Sequence, residues 1–118
     1  MFKDCTSLKK VQTILPSMTL AGYCYEEMYI GCTSLETAPI LPATTLALDC
    51  YANMFNGCSN LKYLNVGFNE WQQFEYNGEM RDATINWVKG VTSTGGNFIC
   101  PDTLTKQYGD NFIPTTWQ

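Results

Sequence analysis

Apolar and polar positions alternate in three similar stretches of this chain. Leu35, Ala38 and Ile40 are spaced as the inward positions of a short strand, with Glu36, Thr37 and Pro39 between them. In a later stretch Leu61, Leu64 and Val66 point in, while Tyr63 and Asn65 point out. In the earliest, Leu8 and Val11 are inward, and one extra residue before Ile14 predicts a bulge. Proline follows the strand at Leu41-Pro42 and ends the ladder, having no N–H to donate. Thr44 or Thr45 then predicts the cap of a short helix. One face of that helix would carry Leu46, Ala47, Cys50, Tyr51 and Met54. Gly57 is placed for a left-handed C-cap, with Gly31 and Asp4 at the same point of the earlier stretches.

These stretches are copies of one phrase. Cys5-Thr6-Ser7-Leu8 recurs as Cys32-Thr33-Ser34-Leu35 and Cys58-Ser59-Asn60-Leu61. Leu15-Pro16, Thr19-Leu20-Ala21, Cys24-Tyr25 and Met28 recur 26 residues later as Leu41-Pro42, Thr45-Leu46-Ala47, Cys50-Tyr51 and Met54. A fixed period in the twenties predicts a solenoid, each repeat being strand, proline turn, short helix and glycine turn. The expected fold is therefore an α/β solenoid with a parallel sheet on one face, short helices on the other and a non-repeating C-terminal cap. One domain spans 1–118, with repeats over 1–66 and the cap over 67–118. Within the cap, Gly67 to Gly78 is aromatic-rich, and Asp82 predicts the start of a helix carrying Ile85, Trp87 and Val88 and ending at Gly90. Thr92 to Gly96 reads as a turn, Asn97 to Cys100 as a fourth strand, and Asp102 to Gly109 as a last short helical turn. Met1 occupies the motif position of Met54, so the sequence reads as a piece of a longer protein or as a very abbreviated one.

The phrases Met-Phe-x-Gly-Cys-Ser and Leu-Pro-Ala-Thr-Thr-Leu-Ala-x-x-Cys-Tyr resemble the BspA-like leucine-rich repeats of bacterial surface proteins. The resemblance covers residues 1–66, and Asn86-Trp87-Val88 through Ile113-Pro114 and Trp117 is similar to the terminus such proteins carry. It implies a leucine-rich-repeat fold, an extracellular or cell-surface setting, and loosely adhesion or host-protein binding.

Composition removes several functions. A net charge of −4 without a basic run argues against nucleic-acid binding. No stretch approaches the roughly 20 apolar residues of a membrane span, and the first 25 residues show no signal-peptide pattern. With no histidine, the Ser-His and Cys-His arrangements of nucleophilic catalysis are absent. Five of the six cysteines recur with the repeat rather than at the short paired spacing of zinc sites. Cys5, Cys32 and Cys58 are expected to stack as buried free thiols, whose parallel side chains lack disulfide geometry; Cys100 has no assigned place. Glu26-Glu27 and Glu70, Glu75, Glu79 and Asp82 read as a solvated acidic face rather than a glycosidase pair or a calcium loop. No catalytic, cofactor or metal residue is assigned.

Two surfaces remain. Lys10, Gln12, Thr37, Pro39, Tyr63 and Asn65 are expected to line the outward face of the sheet, with Tyr63 as an aromatic anchor inside a polar rim. Leu8, Val11 and Leu20 are expected to form an open N-terminal edge, fit for self-association or a partner. The chain is accordingly expected to be a non-enzymatic module binding a protein or a glycan. The alternative is a structural C-terminal capping domain of a longer repeat protein, without a ligand of its own.

Overall fold

The computed structural model describes residues 3–11 and 20–118. Its regular strands are brief: β1 (Tyr63–Asn65), β2 (Gln73–Tyr76), β3 (Glu79–Asp82) and β4 (Asn97–Ile99), followed by a 3-10 turn at Thr115–Trp117. β1 pairs in parallel with β4, Tyr63 opposite Asn97 and Asn65 opposite Ile99. Single parallel bridges carry the same row outward from Tyr63 to Thr37 and from Thr37 to Lys10. The carbonyl of Lys9 accepts the amides of Glu36 and Thr37; that of Glu36 accepts those of Lys62 and Tyr63; that of Lys62 accepts that of Asn97. Successive copies of the phrase are thus joined edge to edge.

The expected α/β solenoid with short helices on one face does not form: the described residues contain no α-helix. The stretches assigned to helices are ribbons of consecutive tight turns. Cys24, Glu26, Met28, Ile30 and Cys32 each donate to the carbonyl three residues back, at 3.1–3.3 Å. The intervening amides of Tyr23, Tyr25, Glu27, Tyr29 and Gly31 donate instead to Leu48, Cys50, Ala52, Met54 and Asn56 of the next copy, at 2.8–3.0 Å. The second ribbon repeats this, with Tyr51, Asn53, Phe55 and Gly57 donating to Ala83, Ile85, Trp87 and Lys89. Residues 83–90, where a single helix was expected, therefore form a third ribbon stacked on the second. The segment after Asp102 likewise forms turns rather than a helix.

The backbone explains the difference. Every fourth residue is left-handed: Tyr23, Glu27 and Gly31, then Asp49, Asn53 and Gly57, then Asn86 and Gly90, with φ between 51° and 85°. Such a residue ends an α-helix. A helix would also spend its interior amides on its own carbonyls, leaving none to join the copies. The apolar stripe itself has a period of four, as in Leu46, Cys50, Met54 and Cys58. On a helix that stripe would rotate by about 40° at each step. With no helix to cap, Thr44 and Thr45 are exposed. The entry to the second ribbon is held by Gln72, whose amide group accepts from the Leu46 N–H and donates to the Thr44 carbonyl.

Ile40, expected to point inward, is 36% exposed, and Leu41 is fully buried in its stead. Leu41 bridges Val66. One more residue therefore separates Ala38 from Leu41 than separates Leu64 from Val66, and the break falls at Pro39, which cannot join the ladder.

β2 and β3 form an antiparallel hairpin between the strand row and the third ribbon. Its turn is Asn77-Gly78, with φ of 51° and 81°, the pair of positive angles that a type I′ turn requires. Beneath the hairpin the core is layered in rings. Tyr25 stacks on Tyr51 at 6.1 Å and 6°, and Tyr29 on Phe55 at 5.7 Å and 1°. Both ladders end on Trp87, which also meets Phe68, Trp71 and Phe98 and donates its indole N–H to the Phe112 carbonyl at 2.8 Å.

Trp87→Ala is therefore expected to cost about 3–5 kcal/mol, the range for a buried large aromatic. Met80→Ala, on the hairpin and 61% exposed, should stay within about 0.5 kcal/mol. Urea titration of the two variants checks the difference.

Candidate functional site

The outward face of the strand row is built by the pleat. Leu64 is fully buried, so its neighbours Tyr63 and Asn65 lie on the opposite side, each half-buried. In β4, Phe98 packs against Trp71 and Trp87 while Asn97 and Ile99 are exposed. The parallel register sets Lys10, Thr37, Tyr63 and Asn97 side by side in one row, and Asn65 beside Ile99 in the next. Lys10 is exposed and Thr37 half-buried. Pro39, expected on this face, is buried instead, because the break at this proline turns it under and brings Ile40 out. Gln12 lies outside the described residues. The structure therefore adds Ile40, Asn97 and Ile99 to the face. The signal for Asn97 and Ile99 was present, since alternation along a fourth strand puts both outward.

Of the residues assigned to the N-terminal edge, Leu8 and Val11 are half-buried against the core and Leu20 is 8% exposed. The Val11 amide donates to the Thr37 carbonyl at 3.0 Å. Leu20 thus belongs to the buried core, and Leu8 and Val11 pack against it, partly buried.

A second cluster ties the hairpin to the ribbons. Arg81 pairs through Nη2 with Asp49 Oδ2 at 2.7 Å, the Asp49 side chain being 1% exposed and that of Arg81 32%. The guanidinium also lies 5.3 Å from the centre of the Tyr76 ring. Asp49 Oδ1 is buried without a hydrogen bond. Next to it, Asp82 accepts from Gln73 Nε2 and from Asn111 Nδ2. These groups border an open cleft of 640 Å³ lined by Tyr76, Met80, Arg81, Asp82, Ile85 and Asn111. In this cleft Arg81 is committed to Asp49, and Asp82 to the side-chain amides of Gln73 and Asn111. Among the described residues no three His, Cys, Asp or Glu side chains converge as metal ligands.

The six cysteines form no disulfide. Cys32, Cys50 and Cys58 are buried and Cys24 is exposed; Cys5 and Cys100 are intermediate. The Cys58 thiol donates to the Tyr29 carbonyl at 3.1 Å. Burial pushes the Cys50 and Cys58 thiols from 9.0 up to about 12, and the Tyr29 hydroxyl from 10.0 up to about 12.

Comparison with protein-family models, with curated proteins and with solved structures finds no match.

Two outcomes follow from the buried groups. Cys24 should react first with a thiol reagent, and Cys50 and Cys58 only on unfolding, as peptide mapping after timed alkylation will read. In the native state these two thiols keep their protons between 9.0 and about 12, where unfolded thiols ionise. Unfolding then releases protons, so stability should fall as pH rises through that window. Separately, Arg81→Met should cost about 3–5 kcal/mol, because it leaves the Asp49 carboxylate buried and unpaired. Asp49→Asn, which leaves the partly exposed Arg81 to water and suits a left-handed backbone, should cost less. Thermal denaturation of the two variants ranks them.

Proposed function

We propose that the chain is a non-enzymatic interaction module that binds a protein through the outward face of its strand row. The observation that carries this is the juxtaposition of Tyr63 with the exposed Ile40 and Ile99 inside a border of Lys10, Thr37, Asn65 and Asn97. An aromatic anchor among aliphatic side chains, ringed by amides and a hydroxyl, has the make-up of a protein-binding patch. Two exposed isoleucines favour a protein over a glycan as the ligand. The resemblance of the repeats to BspA-like leucine-rich repeats supports placing this module at a bacterial surface. A second reading, in which the chain terminates a stack of repeats, is favoured by how its last ribbon is closed. There the amides of Asn86 and Val88 donate to Asn111 Oδ1 and to the Asp110 carbonyl.

The test immobilises the wild type, Tyr63→Ala and Ile99→Asp and exposes each to host surface proteins and to a glycan array. A protein ligand retained by the wild type should bind Tyr63→Ala more weakly by about 2 kcal/mol or more. Equal retention by all three, or retention of glycans alone, would overturn the strand-face reading.

A further inference from the structure

The hydrogen bonds that join the ribbons all run one way. Amides of residues 23–31 donate to carbonyls of the second ribbon, and amides of residues 51–57 donate to carbonyls of the third. The stack therefore has a donor end and an acceptor end. At the donor end the amides of Asn86 and Val88 are taken up by Asn111 and Asp110. At the acceptor end, among the described residues, only the last rung is filled: the Asp4 amide donates to the Ile30 carbonyl at 2.7 Å, as Gly31 does to Asn56 and Gly57 to Lys89. Asp4 has φ 58°, the left-handed conformation of those glycines. Among the described residues no amide reaches the carbonyls of Gly22, Cys24, Glu26 or Met28.

Side-chain burial records the same gap. Cys50 and Tyr51 are fully buried and Asp49 is 1% exposed. Their counterparts one copy earlier are uncovered: Cys24 is exposed, Tyr25 is half-buried and Tyr23 is 44% exposed. The first ribbon covers the second, and nothing described covers the first in the same way.

We infer that this acceptor edge is a docking site for one further turn ribbon of the same build, with amide donors at alternate residues and a left-handed residue every fourth. The interface continues the two ribbon interfaces already present, in the register that Asp4 sets. A second copy of this chain does not meet the requirement. Its first- and second-ribbon amides are spent on its own next ribbon, those of Asn86 and Val88 in the third on Asn111 and Asp110, and two acceptor edges have no donors to exchange. The inference rests on the stack-terminating reading above and names the chemistry of its partner; it is independent of the strand face.

The probe is a copy of residues 28–53 joined ahead of Met1, which continues the phrase in register at high effective concentration. Its two cysteines, copied from Cys32 and Cys50, become valine and alanine, the residues found at 91 and 83 in the third copy. Docking should reduce the alkylation rate of Cys24 to that of Cys50 and raise the thermal midpoint. Replacing the copied Tyr51 by proline removes the amide that would meet the Cys24 carbonyl and should restore the reactivity of Cys24. Replacing it by alanine keeps that amide and should retain most of the protection. Unchanged Cys24 reactivity in the extended chain would overturn the inference. So would light scattering and Cys24–Cys24 cross-linking that show the unextended chain dimerising through this edge. The terminating reading fails separately, if hydrogen exchange finds the Asn86 and Val88 amides unprotected.

Discussion

The division of amides in the turn ribbons is the constraint on which the rest of this structure depends. Alternate N–H groups close three-residue turns, and the others cross to the carbonyls of the following copy. Each ribbon is thereby satisfied only in the company of its neighbours, because buried amides and carbonyls require partners. The strand side is too sparse to hold the stack alone: it consists of two three-residue strands and isolated bridges. Cohesion between copies comes mainly from the ribbon side, where a helix would have contributed only side-chain packing.

That arrangement has a conformational cost. A left-handed residue other than glycine is strained by about 1–2 kcal/mol, and Tyr23, Glu27, Asp49, Asn53 and Asn86 all adopt this conformation. Asparagine and aspartate reduce the cost; tyrosine and glutamate do not. The offset comes from layers that only this geometry aligns. With a strict period of four, equivalent rings lie directly above one another, as the 6° and 1° interplanar angles of Tyr25–Tyr51 and Tyr29–Phe55 record. Glycines stack in the same manner: a Cβ on Gly90 would lie 3.2 Å from the Gly57 amide nitrogen, and one on Gly57 would lie 3.5 Å from Gly31. Trp87 closes the column, its indole tied to the Phe112 carbonyl.

Much of this was legible in the residues, and the misreadings have identifiable causes. Repetition at an offset of 26 located the copies, and the alternation around Leu64 located Tyr63 and Asn65. The ribbon was mistaken for a helix because Leu46, Ala47, Cys50, Tyr51 and Met54 suit either period over so short a span. The deciding residues were the polar ones, since Asp49, Asn53 and Gly57 recur every fourth position and each tolerates a left-handed backbone. In the first ribbon that signal is masked, because Tyr23 and Glu27 hold the equivalent places. The fixed offset also put Ile40 where Val66 lies, although Pro39 shifts the register by one residue and puts Leu41 there. Asn77-Gly78, a strong hairpin signal, was obscured by the aromatic run around it. The Arg81–Asp49 pair joins residues 32 positions apart that no local pattern connects.

The polarity of the ribbons separates the two surfaces by physical role. The strand row presents side chains, so residues such as Lys10, Thr37, Tyr63 and Asn97 can change one by one without disturbing the ladder beneath. The first ribbon instead presents backbone carbonyls, whose spacing is set by the turns and not by side-chain identity. A partner there is selected by backbone conformation, which very few sequences other than the repeat itself will adopt. At the opposite end Asp110 and Asn111 satisfy the Val88 and Asn86 amides with one carbonyl and one side-chain oxygen, from a loop that Asn111 pins to Asp82. With the Asn86 and Val88 amides met at one end and, among the described residues, the carbonyls of Gly22, Cys24, Glu26 and Met28 unmet at the other, the stack has room to extend in one direction only, and the strand row runs beside it.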